Sequence, residues 1–220
     1  GGVTMTAGTL NGGSSTLKTA GVLSGTGATF TAASGTVEFN GSSEQTIPAY
    51  NFYNLTSSSS GARVLASSGT VGVAGTLTPG GNSYTITGST IDFNGSGSQT
   101  IPAFNYNNLT SSSSGGRTLA SSGTVGVAGT FTPGGNSYTI TGSTIDFNGT
   151  TQNVATFTYN NLTLSNSGTK TCSAALTINS DLSLSGTAKM ALASGTNSTA
   201  NQLYFSAARQ YYGTWGSTSS

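Results

Sequence analysis

One feature constrains this chain more than any other, an internal repeat with a step of 54 residues from Thr36 to Thr90 to Thr144. Thr36-Val37-Glu38-Phe39-Asn40 returns as Thr90-Ile91-Asp92-Phe93-Asn94 and as Thr144-Ile145-Asp146-Phe147-Asn148. The stretch from Ala66 to Gly95 recurs from Ala120 to Gly149 with a single change, Leu77 to Phe131. Gln45-Thr46-Ile47-Pro48-Ala49-Tyr50 is echoed by Gln99-Thr100-Ile101-Pro102-Ala103-Phe104, and more loosely by Gln152-Asn153-Val154-Ala155-Thr156-Phe157. Repetition on this scale marks stacked or arrayed units. The expected organisation is one repetitive segment over residues 1–220. It comprises divergent coils over 1–35, repeats at 36–89, 90–143 and 144–196 with the last degenerate, and an aromatic-rich cap or junction over 197–220.

Within the unit the hydrophobic period is two. Tyr84-Thr85-Ile86-Thr87 and Thr90-Ile91-Asp92-Phe93 alternate, and clusters such as Pro79-Gly80-Gly81-Asn82 bound each run. No stretch carries a helical period, so the fold class is all-β. Leu55, Val73, Ile91, Leu109, Val127 and Ile145 stand 18 residues apart, one third of the long step. That spacing predicts a parallel β-helix, or β-solenoid, with coils of about 18 residues, three per repeat and roughly 12 in all. The alternative is a tandem of small β-sandwiches, although a unit this short buries little core of its own.

Composition narrows the function. The chain has six Lys plus Arg, five Asp plus Glu, no His and a net charge of +1, too little cationic charge to neutralise a nucleic-acid backbone. Apolar runs reach only three or four residues, which excludes an inserted helix. Without His there is no Ser-His-Asp triad, no Gly-rich segment has phosphate-loop form, and the carboxylates stand too far apart to hold a metal. The expectation is a protein that is not an enzyme, with no catalytic residues, no metal and no cofactor. The single Cys172 aligns with Leu119 of the preceding unit. It reads as a small buried apolar residue, with an intermolecular disulfide as the sharper alternative.

Several residues still merit a functional reading. Glu38, Asp92 and Asp146 alternate with inward apolar residues and so point outward, and each unit adds one cation, Arg63, Arg117 or Lys170. A polysaccharide-degrading β-helix would need such acids clustered, whereas three coils separate them by about 14 Å. Near-neutral units that stack without accumulating repulsion are the plainer reading. Thr-x-Thr triplets such as Thr76-Leu77-Thr78 and Thr139-Ile140-Thr141 raise an ice-binding face, but they return only with the long repeat. Asn-x-Ser/Thr sequons recur, for example at Asn54 and Asn108, and serve either glycosylation or an internal amide ladder. The aromatics near Ile-Pro-Ala are expected to fill or flank the core. Tyr204, Phe205, Tyr211, Tyr212 and Trp215 are candidates for an assembly or contact surface at the C-terminal end.

Taken together, Thr-Ile-Asp-Phe-Asn-Gly, Gln-Thr-Ile-Pro-Ala-Phe, Tyr106-Asn107-Asn108-Leu109-Thr110 and the Gly-rich turn before Arg-Thr-Leu resemble the β-strand repeats of bacterial extracellular surface proteins. Those are the filamentous-haemagglutinin-like and autotransporter-type adhesins. The resemblance implies an extracellular or cell-surface location, a stalk, adhesin or fibre role, and no catalytic residues. The chain opens in mid-pattern at Gly1-Gly2-Val3, as expected of a piece of a longer secreted protein. The expected partners are copies of itself or adjoining repeat modules end to end, and surface glycans; neither nucleic acid nor membrane insertion is expected. The alternative functions are a glycan-binding or polysaccharide-degrading β-helix and an ice-binding solenoid.

Overall fold

A computed structural model describes residues 1–25, 29–31 and 33–210. All of its regular structure is strand, thirty short ones, and all but one of the pairings between them are parallel. The second unit holds eight strands: Thr90–Phe93, Gln99–Ile101, Phe104–Tyr106, Asn108–Ser111, Arg117–Leu119, Val125–Val127, Phe131–Thr132 and Tyr138–Thr139. Wherever these strands join a ladder, each pairs with the third one along, as Thr90–Phe93 does with Asn108–Ser111. Three strands therefore complete one turn, and the chain winds into a three-faced β-solenoid of about 10 turns.

The winding fixes a relationship that the repeat length conceals. Eight strands per unit at three strands per turn make two and two-thirds turns, so each unit starts one face round from the last. Thr36–Phe39 pairs with Thr16–Thr19 and Asn54–Ser57, Thr90–Phe93 with Val71–Val73 and Asn108–Ser111, and Thr144–Phe147 with Val125–Val127 and Asn161–Leu164. These are three separate sheets.

The coil is accordingly longer and less regular than a constant 18. Partners in register lie 17 residues apart at Thr144 and Asn161 and 22 apart at Leu55 and Leu77. The step of 18 holds from Val37 to Leu55 and from Ile91 to Leu109. It fails at Val73, which faces Phe93, and at Leu109, which meets Phe131 on its other side. The corner Pro79-Gly80-Gly81-Asn82 falls within the first of those turns, and the connections at residues 120–124 and 128–130 lengthen the second. All six residues of the 18-residue series are nonetheless buried.

Inside, Val37, Ile91 and Ile145 and the paired Phe39, Phe93 and Phe147 are buried, with the intervening acids turned outward, as alternation requires. Phe52, Tyr106 and Tyr159 are buried beside them. Three breaks in the ladder are bridged by rings, Phe30 meeting Phe52 at 5.6 Å, Tyr84 meeting Phe104 edge-on at 4.8 Å and Tyr138 meeting Phe157 at 4.9 Å. Gly72 shows why Val-Gly-Val recurs. A Cβ there would stand 2.0 Å from Asn51 Oδ1 and 2.6 Å from Asn94 Nδ2. The two asparagines, two turns apart, meet across the bare backbone at 3.1 Å. At the C-terminal end, Ser206 and Ala207 turn at positive φ and Ala208–Gln210 folds back antiparallel on Thr199–Phe205.

Candidate functional site

The three cations that recur with the repeat are not on the surface. Arg63, Arg117 and Lys170 are 0%, 1% and 0% exposed. Each stands directly in register with a glutamine of the previous turn: Gln45 with Arg63, Gln99 with Arg117, Gln152 with Lys170. All six side chains enter the corner that follows the Thr-Ile-Asp-Phe strand.

That corner needs donors. A turning chain aims carbonyl groups inward where no ladder satisfies them, and a buried carbonyl without a partner is costly. Arg117 answers with its planar fork. Nη2 donates to the carbonyls of Phe93, Gly95 and Ser112, Nη1 to Gly115 at 2.7 Å, and Nε to Ser111 Oγ at 2.7 Å. Arg63 repeats this toward Phe39, Gly41, Ser58 and Gly61. Lys170 reaches the Gly149 and Thr150 carbonyls and Gln152 Oε1. Beneath each cation the glutamine clasps the turn below: Gln99 Nε2 donates to the Val73 and Gly75 carbonyls, and Gly95 N–H donates to Gln99 Oε1 at 2.8 Å. Burial lowers the pKa of all three cations.

The acids sit outside the same corner. Asp92 accepts from Ser112 N–H at 3.0 Å and from Ser112 Oγ at 2.7 Å, while the Ser112 carbonyl accepts from Arg117. One serine thus links the outer carboxylate to the inner guanidinium. Glu38 accepts from Ser58 Oγ and pairs with Lys18 at 2.9 Å, and these two partners hold its carboxyl below the usual range. Asp146 accepts from Ser165, and burial raises its pKa. The three acids lie two and two-thirds turns apart on three different faces, rather than three coils apart along one. No two of these carboxylates converge as acid-base catalysis of glycoside cleavage requires. Among the described residues, no three His, Cys, Asp or Glu side chains group as a metal site would require.

The remaining candidates also take definite places. Asn54 and Asn108 alternate with threonines rather than stacking in an amide ladder, each Oδ1 accepting from the N–H and hydroxyl of Thr76 or Thr130 on the next turn. Thr100, Thr118 and Thr139 form one outward column in register. Two residues on from these stand Pro102, Ala120 and Thr141, so there is no second rank of threonines. Cys172 is buried, and its thiol pKa is pushed up to about 11 by burial. Tyr204 donates to Gln202 Oε1 within its strand, and Phe205 is 38% exposed at the hairpin. Tyr211, Tyr212 and Trp215 lie outside the described residues.

The glutamines were the side chains that sequence reading passed over. Their signal was present, because Gln45 to Arg63, Gln99 to Arg117 and Gln152 to Lys170 all keep a step of 18. No protein-family model matches this chain. No curated protein matches it, and no solved structure does.

Proposed function

We propose that this chain is a non-enzymatic, extracellular structural segment, a rigid β-solenoid stalk that spaces or displays what adjoins it. The observation that carries the reading is the fate of the charged residues. Arg63, Arg117 and Lys170 are committed to backbone carbonyls at the corners, and Glu38, Asp92 and Asp146 are tied to serines, so the charged groups that recur with the repeat hold the winding together. Low charge and a surface rich in hydroxyls suit a stalk in solvent. Of the two structural roles, stalk and end-to-end fibre, the stalk is favoured by the C-terminal hairpin, because an antiparallel strand gives a like module the wrong direction to continue a parallel ladder.

The experiment is protease shaving of intact cells that make the protein, paired with negative-stain electron microscopy of the purified chain. Release of its peptides from intact cells, together with discrete rods about 50 Å long, the length of ten turns at the strand spacing, is the expected result. Peptides released only after lysis overturn the location, and long filaments overturn the stalk in favour of the fibre.

A further inference from the structure

A ladder break that no ring fills leaves a groove. Leu77–Thr78 pairs only with Asn54–Ser57, and Gln99–Ile101 only with Arg117–Leu119, so two sheet edges face each other unpaired. A cleft of about 590 Å³ opens there, with Tyr53, Asn54 and Thr76 on one lip and Asn94, Ser98 and Thr100 on the other. No ionisable carboxyl, amine or guanidinium lines it.

Tyr53 sets this groove apart from its copies. It is 38% exposed, whereas Phe52 beside it is buried. A Cβ built on Gly75 would lie 2.9 Å from both Cδ1 and Cε1 of the Tyr53 ring, so the bare backbone of this glycine is what leaves room for the ring at the lip. Asn54 is fixed next to it by Thr76. Across the cleft, Asn94 Nδ2 is held by Asn51, and its Oδ1 is buried without a partner. The next unit keeps Asn108, Gly129, Thr130 and Asn148 at the matching positions but has Asn107 where this one has Tyr53, and the third has Asn160.

We infer that the Tyr53 groove binds an uncharged sugar chain. A fixed aromatic face accepts the C–H side of a pyranose ring, and the surrounding amides and hydroxyls match its hydroxyl groups. A phosphate-bearing or carboxylate-bearing ligand finds no cation here. A peptide strand finds only the two residues of Leu77–Thr78 on one edge, too few to be added as a strand. The inference goes beyond the stalk role and stands independently of it.

The test is isothermal titration of the purified chain with cellohexaose, xylohexaose, mannohexaose and chitohexaose. At least one of them is expected to bind saturably at one site per chain. Tyr53→Asn, which installs the residue the sister unit already carries, is expected to keep the melting temperature and weaken that binding by at least about tenfold. Absence of binding by all four sugars overturns the inference. So does binding that Tyr53→Asn leaves unchanged.

Discussion

Gln99 and Arg117 stand in register on adjacent turns, and between them they engage the carbonyls of Val73, Gly75, Phe93, Gly95, Ser112 and Gly115. Two side chains therefore tie together three successive passes of the chain through one corner. A buried charge ordinarily needs an opposite charge beside it. Here an array of carbonyl dipoles surrounds the guanidinium, and the nearest carboxylate, Asp92, acts from outside through Ser112. The same device recurs at Arg63 and Lys170, each one face further round the solenoid.

Replacing Arg117 with Met keeps volume but removes every donor. The carbonyls it leaves buried and unpaired are expected to cost about 3 kcal/mol or more. Arg117→Lys should cost roughly 1 kcal/mol, because Lys170 already serves in the third copy. Urea denaturation of both variants checks the order; equal losses would contradict it.

Gln99 also shields a labile bond. In an Asn-Gly pair the glycine nitrogen attacks the asparagine side-chain carbonyl carbon, expels ammonia and closes a succinimide that water opens to aspartate or isoaspartate. At Asn94 the Gly95 N–H is held by Gln99 Oε1. Gln99→Ala is expected to raise deamidation of Asn94 several-fold over days at mildly alkaline pH, read by peptide mapping, while the parent chain stays intact there.

Gly72→Ala should break the bridge between Asn51 and Asn94 by displacing both amides. A loss of about 1–2 kcal/mol is expected. In an Asn51→Ala background the same substitution should cost less, and this double-mutant comparison in urea isolates the amide clash.

Alkali should unfold this protein sooner than acid. Burial raises the Cys172 thiol from 9.0 to about 11 and raises the phenols of Tyr84, Tyr106, Tyr138 and Tyr159. The unfolded chain sheds these protons first, so stability is fully present below about pH 9 and is lost as pH rises through the folded values. Lys170, Arg63 and Arg117, whose pKa values burial lowers, work in the opposite direction, three groups against five. The melting temperature should fall steadily above about pH 9, and in the native chain at neutral pH Cys172 should resist iodoacetamide.

Much of this architecture was legible in the sequence. The alternation of Ile91, Asp92 and Phe93 gave the inward and outward faces, and the turn clusters gave short strands. The rotation of each unit was not legible. It depends on counting eight strands, and Asn51–Phe52 and Leu77–Thr78 are two residues long, too short to show a period. The 18-residue step was real where corners are tight and failed where longer connections, such as Pro79-Gly80-Gly81-Asn82 and residues 120–124, add length. The clasp escaped because Arg and Lys are rarely fully buried, so the cation of each unit read only as the balance to its acid. Only the winding of the chain places Arg63, Arg117 and Lys170 inside.

Hydrogen exchange at the arginine side chains, followed by nitrogen-detected NMR, tests the clasp most directly. If Arg63 and Arg117 donate to corner carbonyls in the interior, their Nη–H signals will be resolved and will persist long after transfer to D2O. Arg117→Lys will delete one such set while the Arg63 set remains. Averaged signals for Arg63 and Arg117 that exchange as fast as those of an arginine in water would contradict the account, because the cations would then lie at the surface.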